Sequence, residues 1–542
     1  MPCIVDKLEI YDLERRFACL QSYALKKECN VNHAACNPDK VDVIQFKKAF
    51  QKLWWTPTRI QNLMRLQGIK GPSYRLHYGN SKEISNMLNE AWSRPIDVSD
   101  DIYSHVQPHF QAWTKTYGKI FLQWNGVQPV LVVTEPELCK EILNNKDGVY
   151  QKQKLPELAK KLLGDNTDEE QSIRLRKVSN HAFHGDSLKV RDNRMQFKMK
   201  ASAERMVESW KNHEGKEIDM FEEFRLYTSE VISRTAFGGS YLEGKTIFDN
   251  LLKLYSIIFR NNIKIRIPGI SKFYRNSDDI ESDELERSIR DSILEIVKKR
   301  EMEAITGEEN SFGNDFLGLL LQAHHSSNDK QRISIDELIQ QCRTFYFAGL
   351  ETTNSLLSWI ILLLAQHPDW QEDARKEVLQ LFGKQTPNYD GLAKLKTMSM
   401  IIHETLRLYD LYPPGLLIIR NVAREVRLGK LLLPAHMELR IPLLALHHEA
   451  QFWGQDVRLF KPERFSEGVA KATNDNMAAF MPFGVGPRMC VGSNFAAIET
   501  KIALSMILQR YSFTLSPGYV HSPYPFLTFR PQHGLQVKLH SL

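Results

Sequence analysis

Apolar and polar positions change rhythm along the chain, and each rhythm predicts an element. Ile120 to Trp124 and Val130 to Val133 are strand-like runs, with Asn125-Gly126 between them as a hairpin turn. Thr134-Glu-Pro136-Glu137 then starts a helix, with Thr134 as N-cap, Pro136 in the first turn and Glu137 completing a capping box. From Ala201 to Gln366 the pattern is mostly helical, and Leu285, Ile289, Ile293 and Ile296 share one face. Leu338 to Gln366 reads as a long apolar, hence buried, helix interrupted by Ala348-Gly349-Leu-Glu351-Thr352-Thr353. Leu411-Tyr-Pro413-Pro414 to Arg420 reads as a turn into a strand, and Gly492 to Arg510 as an alanine-rich apolar helix. These elements predict a mainly α chain with a small β subdomain, a single domain over 51–542 preceded by an atypical segment, 1–50.

Composition adds limits. The chain has 542 residues, 42% hydrophobic and 25% charged, as globular proteins do. Its net charge of +6, 71 basic minus 65 acidic residues, gives no case for nucleic acid but is compatible with an acidic partner or a membrane surface. Seven cysteines without a CxxC pair favour a reduced compartment. Cys19, Cys29, Cys36 and His33 fit no usual zinc-finger spacing. Met1 to Lys48 carries charges every few residues, so it predicts neither a membrane span of ~20 apolar residues nor a signal peptide. Phe46, Phe50, Trp54 and Trp55, interleaved with lysines and followed by Arg59, suit a membrane interface or an amphipathic helix capping the domain.

The densest chemistry lies in Phe483-Gly-Val-Gly-Pro-Arg-Met-Cys490-Val-Gly492. A thiolate at Cys490 would lie just ahead of a helix N-terminus, where the helix dipole favours an anion. Glycines nearby let backbone N–H groups approach the sulfur, as a metal thiolate requires. Arg488 can pair with a carboxylate on a planar cofactor. Upstream, Gly349 weakens its helix, and threonine hydroxyls can bond backwards to carbonyls. An acid beside an alcohol there, Glu351-Thr352, can order water and relay protons. Glu404 and Arg407, three apart on one helix face among apolar neighbours, read as a buried structural pair that Arg464 joins.

The order Phe483, Gly486, Arg488, Cys490, Gly492 resembles the haem-ligand loop of the cytochrome P450 superfamily, the haem-thiolate monooxygenases. Glu351-Thr352, 138 residues before Cys490 (490 minus 352), resembles that family's oxygen-activating helix. Gly71-Pro72-Ser-Tyr74-Arg is similar to the hinge of the plant clan acting on terpenoids and hormones. The resemblance covers nearly all of 51–542, is strongest from 338 onward, and departs from the family near 165–200. It implies haem b with Cys490 as axial ligand, Phe483 and Gly492 shaping the loop, and Arg176, Arg420 and Arg488 on the propionates. Ser172 stands where the family has tryptophan, which implies a looser hold on haem. Phe248 to Phe273 would be a lid, Leu416 and Leu417 pocket lining, and Pro523 to Leu527 the closing turn. The implied reaction inserts one atom of dioxygen into an apolar small molecule. Electrons would come from an NADPH–cytochrome reductase meeting basic residues near Arg458, Lys461, Arg464 and Arg488. The implied place is the cytosolic face of the endoplasmic reticulum membrane. A silent haem-binding relative and a reductase-independent isomerase or dehydratase remain alternatives.

Overall fold

Ile335–Gln366 is the helix around which the interior is arranged. It starts one turn earlier than its apolar pattern predicts, because Ser334 and Glu337 form a capping box. The Ser334 N–H donates to Glu337 at 2.6 Å and the Glu337 N–H to Ser334 Oγ at 3.1 Å. By length and composition this helix could cross a membrane, and no other helix among the described residues could. Its most apolar window is 83% buried, so it is a core helix. The computed structural model describes residues 47–542 except 165–168, 184–191, 264–276, 307–311, 410–417 and 527. The cluster Cys19, Cys29, Cys36 and His33, the loop Pro268-Gly269, the turn from Leu411 to Leu417, and Leu527 lie outside the described residues.

Helices Met220–Ala236, Tyr241–Ile263, Ser277–Thr306, Lys396–Leu408 and Ser493–Leu508 pack around the central helix. Gly349 permits a close approach by one of them. A Cβ there would lie 2.8 Å from Ile232 Cγ1 on Met220–Ala236. One turn earlier on that helix, Thr228 Oγ1 donates to the Leu350 carbonyl at 2.9 Å. The glycine therefore serves packing, and the central helix runs unbroken through 348–353. On Ser277–Thr306, Ile289 and Ile293 are buried and Leu285 and Ile296 pack beside them, as the periodicity predicts.

A five-stranded sheet flanks the helices, in the order Ile120–Asn125, Gln128–Val133, Glu438–Ile441, Ile418–Val422, Tyr150–Lys152. All neighbours are antiparallel except Gln128–Val133 with Glu438–Ile441. A second apolar core, including Leu122, Trp124, Leu131, Ile418 and Leu439, belongs to this sheet. A three-stranded sheet and two short hairpins complete the β structure, so the chain is mainly α with a small β part. Two compact units are distinguishable, Met1–Thr56 and Pro57–Leu542. In the first, Gln51–Trp55 forms one π-type turn with Trp54 and Trp55 exposed.

Three local expectations need correction. Asn125 pairs with Gln128, so the two turn residues are Gly126 and Val127, with the positive φ of 57° at Gly126 alone. The turn thus slides one residue beyond the Asn-Gly frame. Thr134 does not cap the next helix. Pro136, with its φ preset, takes the first helical position, so Glu135 is the cap. The Thr134 hydroxyl instead donates to the Lys119 carbonyl at 2.9 Å. Phe248 is not in a lid loop: it is fully buried inside Tyr241–Ile263.

Candidate active site

The cysteine loop is held by its own backbone. The Cys490 N–H donates to the Phe483 carbonyl at 2.8 Å, closing the loop around the short turn Gly486–Arg488. Gly486 has φ +80°, and a Cβ there would meet the Leu143 carbonyl at 2.7 Å, so no side chain fits. Gly492, at φ −90°, is the N-cap of Ser493–Leu508. Burial pushes the Cys490 thiol up, while the Gly492 backbone and the nearby Arg176 charge pull it down. Cys490 is nonetheless exposed.

Arg176 comes to the loop from helix Glu169–Phe183. It donates to the Met489 carbonyl and, at 2.9 Å, to Asn180 Oδ1. Burial lowers the Arg176 guanidinium; the Arg488 charge acts in the same direction and the Cys490 charge opposes it. Two guanidiniums within electrostatic reach of each other beside a cysteine suit an anionic group. Ser172 lies half-buried one turn before Arg176. At the end of the same helix, Phe183 stacks on Phe345 of the central helix at 5.0 Å and meets Phe495 edge-on at 5.6 Å. One aromatic ring thus ties the cysteine-bearing segment to the central helix.

On that central helix, Phe345, Ala348, Gly349 and Thr352 are accessible, whereas Leu350, Glu351 and Thr353 beside them are buried. Their spacing, three and four apart, makes one stripe. Ala348 is exposed although the helix around it is largely core. Thr352 Oγ1 donates its hydrogen to the Ala348 carbonyl at 2.8 Å. Its oxygen is then an acceptor on the accessible side. Glu351 is 1% exposed. Burial pushes its carboxyl up, and the Arg530 and Arg225 charges pull it back.

The structure brings Arg176, Arg488, Cys490, Gly492 and Phe483 into one loop cluster, with Thr352 on the stripe joined to it through Phe183. Arg420 stands in the sheet, on Ile418–Val422. It is buried rather than solvent-facing, and its Nη1 donates to the Ile419 carbonyl at 2.9 Å. Arg464 turns inward, 3.4 Å from Glu404. Arg458 and Lys461 are at the surface, paired with Asp101 and Asp456. Cys139 and Cys342 are buried free thiols. Two buried-carboxylate features escaped the sequence reading. Arg530 lies 3.7 Å from Glu351, and Glu499 is buried in Ser493–Leu508 with no hydrogen-bond partner on its Oε1 among the described residues. A lone carboxylate in an apolar helix was a signal for Glu499; nothing local marked Arg530.

A family model described as Cytochrome P450 matches residues 101–539. A cytochrome P450 of Panax ginseng (CYP749A22) is 54% identical over 502 residues, 92% of this chain and 94% of that relative. An 11-oxo-beta-amyrin 30-oxidase of Glycyrrhiza uralensis is 40% identical, covering 90% of this chain and 94% of the relative. A 7-deoxyloganic acid hydroxylase of Catharanthus roseus is 38% identical, covering 90% and 95%.

Proposed function

Because the chain belongs to the cytochrome P450 family and is a haem-thiolate monooxygenase, we propose that it oxidises an apolar terpenoid or hormone-like small molecule with electrons from an NADPH–cytochrome reductase. The observation that carries the site assignment is Cys490, exposed just ahead of helix Ser493–Leu508 in a glycine-held loop, with Arg176 bonded to the neighbouring Met489 carbonyl. When bound, the haem would supply oxygen activation and atom insertion. Cys490 would be the thiolate that holds its iron. The Gly492 backbone withdraws charge from its sulfur, and Phe483 and Gly486 fix the loop. Arg176, Arg488 and Arg420 hold the propionates. Thr352 offers its oxygen to water at the site, and Glu351 carries protons to it from the far side of the helix. The relatives named for a terpenoid-type acid and a triterpene support the substrate class.

The haem domain spans 51–542 and the segment 1–50 lies outside it. Trp54 and Trp55, with the lysines before them, rest on the cytosolic face of the endoplasmic reticulum membrane. The reductase approaches the cysteine side, at Arg458 and Lys461. The test is expression with a plant reductase, carbon monoxide difference spectroscopy, and turnover of a panel containing 7-deoxyloganic acid and 11-oxo-beta-amyrin. We expect a thiolate-type ferrous–CO band and NADPH-driven oxygenated product. Cys490→Ser is expected to lose both; an unchanged band and product in that variant would remove the assignment. A band without product would favour a silent haem-binding relative. Turnover of a peroxide or oxime without reductase would favour an isomerase or dehydratase.

A further inference from the structure

Glu351 is a buried carboxylate whose surroundings are incomplete. It is 1% exposed, and its Oε1 receives no hydrogen bond among the described residues. Three elements bring titratable or charged groups towards it. Arg225 comes from Met220–Ala236, Tyr255 from Tyr241–Ile263, and Arg530 from the hairpin Pro523–Pro525 with Phe529–Pro531. Arg225 is already held two-handed by Glu222, at 2.8 and 2.5 Å. The Tyr255 hydroxyl donates to the Phe526 carbonyl at 2.7 Å. Arg530 differs. Its ion pair is with Glu351, at 3.7 Å, beyond a hydrogen bond. Its guanidinium lies over the Phe526 ring at 3.7 Å and near the Phe221 ring at 5.8 Å.

We propose that Arg530 is a positioning residue for Glu351: from its seat on Phe526 it governs the charge and aim of that carboxylate, and so links the closing hairpin to proton delivery. The proposal rests on the reading of Glu351 as the proton-carrying acid. A cation within about 4–6 Å of a buried carboxyl favours the charged form by about 1–3 pH units. At 3.7 Å, without a formal hydrogen bond, Arg530 attracts the carboxylate yet leaves Oε1 able to take up a proton. The aromatic seat fixes where that charge sits, because the cation and the ring face attract each other. A shift of Phe526, whose carbonyl is tied to Tyr255, therefore moves the charge that Glu351 feels.

The test uses haem-loaded full-length protein. Infrared titration of the protonated carboxyl stretch, assigned by its loss in Glu351→Gln, reads the acid directly and needs no substrate. Arg530→Gln keeps a planar group over Phe526 without charge, and Arg530→Met and Arg530→Lys complete the set. We expect the Glu351 titration to move up by about 1–3 pH units in Arg530→Gln and Arg530→Met, and to stay near wild type in Arg530→Lys. In a reductase-driven assay without added substrate, hydrogen peroxide released per NADPH should rise several-fold in Arg530→Gln at unchanged haem content. Lysine should restore it, and Arg530→Gln should add nothing in the Glu351→Gln background. An unmoved titration, or additive peroxide yields, overturns the proposal alone. A moved titration with peroxide yield unchanged in both single variants removes Glu351 from the proton path, and the proposal falls with it.

Discussion

Two buried glutamates, Glu404 and Glu351, are equally hidden and opposite in kind. Glu404 is 0% exposed, and Arg407 grips it two-handed at 2.8 and 2.7 Å. The Lys461 N–H reaches it at 3.0 Å and Arg464 at 3.4 Å. Arg407 in turn donates to the carbonyls of His447, Val457 and Leu459, at 3.1, 2.6 and 3.3 Å, and lies over the Trp453 ring. Every strong hydrogen-bonding direction is used. Glu351 has one arginine at 3.7 Å and no donor on Oε1. Burial therefore does not separate scaffold from chemistry here; the completeness of the partners does. A finished network has one arrangement, while an unfinished one can change protonation without taking the fold apart.

That contrast is broken most severely at the lock. Arg407→Leu leaves Glu404 buried and uncompensated, so stability should fall by about 3–5 kcal/mol. Arg407→Lys should recover only part, because one ammonium cannot replace a fork bonded to a carboxylate and three carbonyls. Denaturant unfolding measures both. An Arg407→Leu loss below about 1 kcal/mol would mean the network is not the scaffold described. Gly349→Ala comes next. Alanine gains about 1 kcal/mol of helix propensity, but its Cβ meets Ile232 at 2.8 Å, and overpacking costs about 1–3 kcal/mol. The crowded atoms include Ile232 Cγ1 and Cβ, which cannot swing away as a chain end does. A net loss is expected, partly recovered by Ile232→Val, and the double-mutant cycle reads the coupling. Glu351→Gln should alter stability least of these, since Oε1 has no hydrogen-bond donor among the described residues to lose. Its effect belongs in product formed per NADPH, which should fall by about tenfold or more. Stability lost on the scale of the lock, with product yield kept, would reverse the roles of the two glutamates.

How much of this was readable in the chain depended on sequence distance. Glu404 and Arg407 are three apart on one helix, so their pairing was visible. The central helix is legible from its apolar run, but its first turn, set by Ser334 and Glu337, and its continuity through 348–353, where Gly349 suggests an interruption, are not. The Cys490 loop with its glycines is legible because loop and helix start are contiguous in the chain. Thr134 fits a capping pattern, but Pro136 takes the first helical position and so makes Glu135 the cap. Phe248 fits a lid only by resemblance, and its apolar side chain is buried in a helix. Arg530 was beyond local reading: it lies 179 positions from Glu351 (530 minus 351), and only the hairpin register carries it there.

The smallest effect is also the sharpest, because the two regions should answer pH with opposite signs. Burial raises the folded pKa of Glu351 above its unfolded value. Between those values the native state binds the extra proton, so stability falls as pH rises through that window. At the outer edge of the lock, Lys461 and then Arg464 hold Asp456 down to about 2. There the unfolded chain binds the extra proton, so stability is present above the unfolded value near 4 and is lost as pH falls towards about 2. Asp456 is partly solvated, with its side chain 35% exposed, so screening keeps its contribution modest. Denaturation series across pH, read as wild type against Glu351→Gln and against Asp456→Asn, separate the two. Glutamine should gain on wild type as pH rises, whereas asparagine should lose least against wild type in acid. Curves for Glu351→Gln and wild type that stay parallel from acid to neutral pH would mean that this carboxyl holds its proton no differently folded than unfolded, and the contrast with Glu404 would then rest on geometry alone.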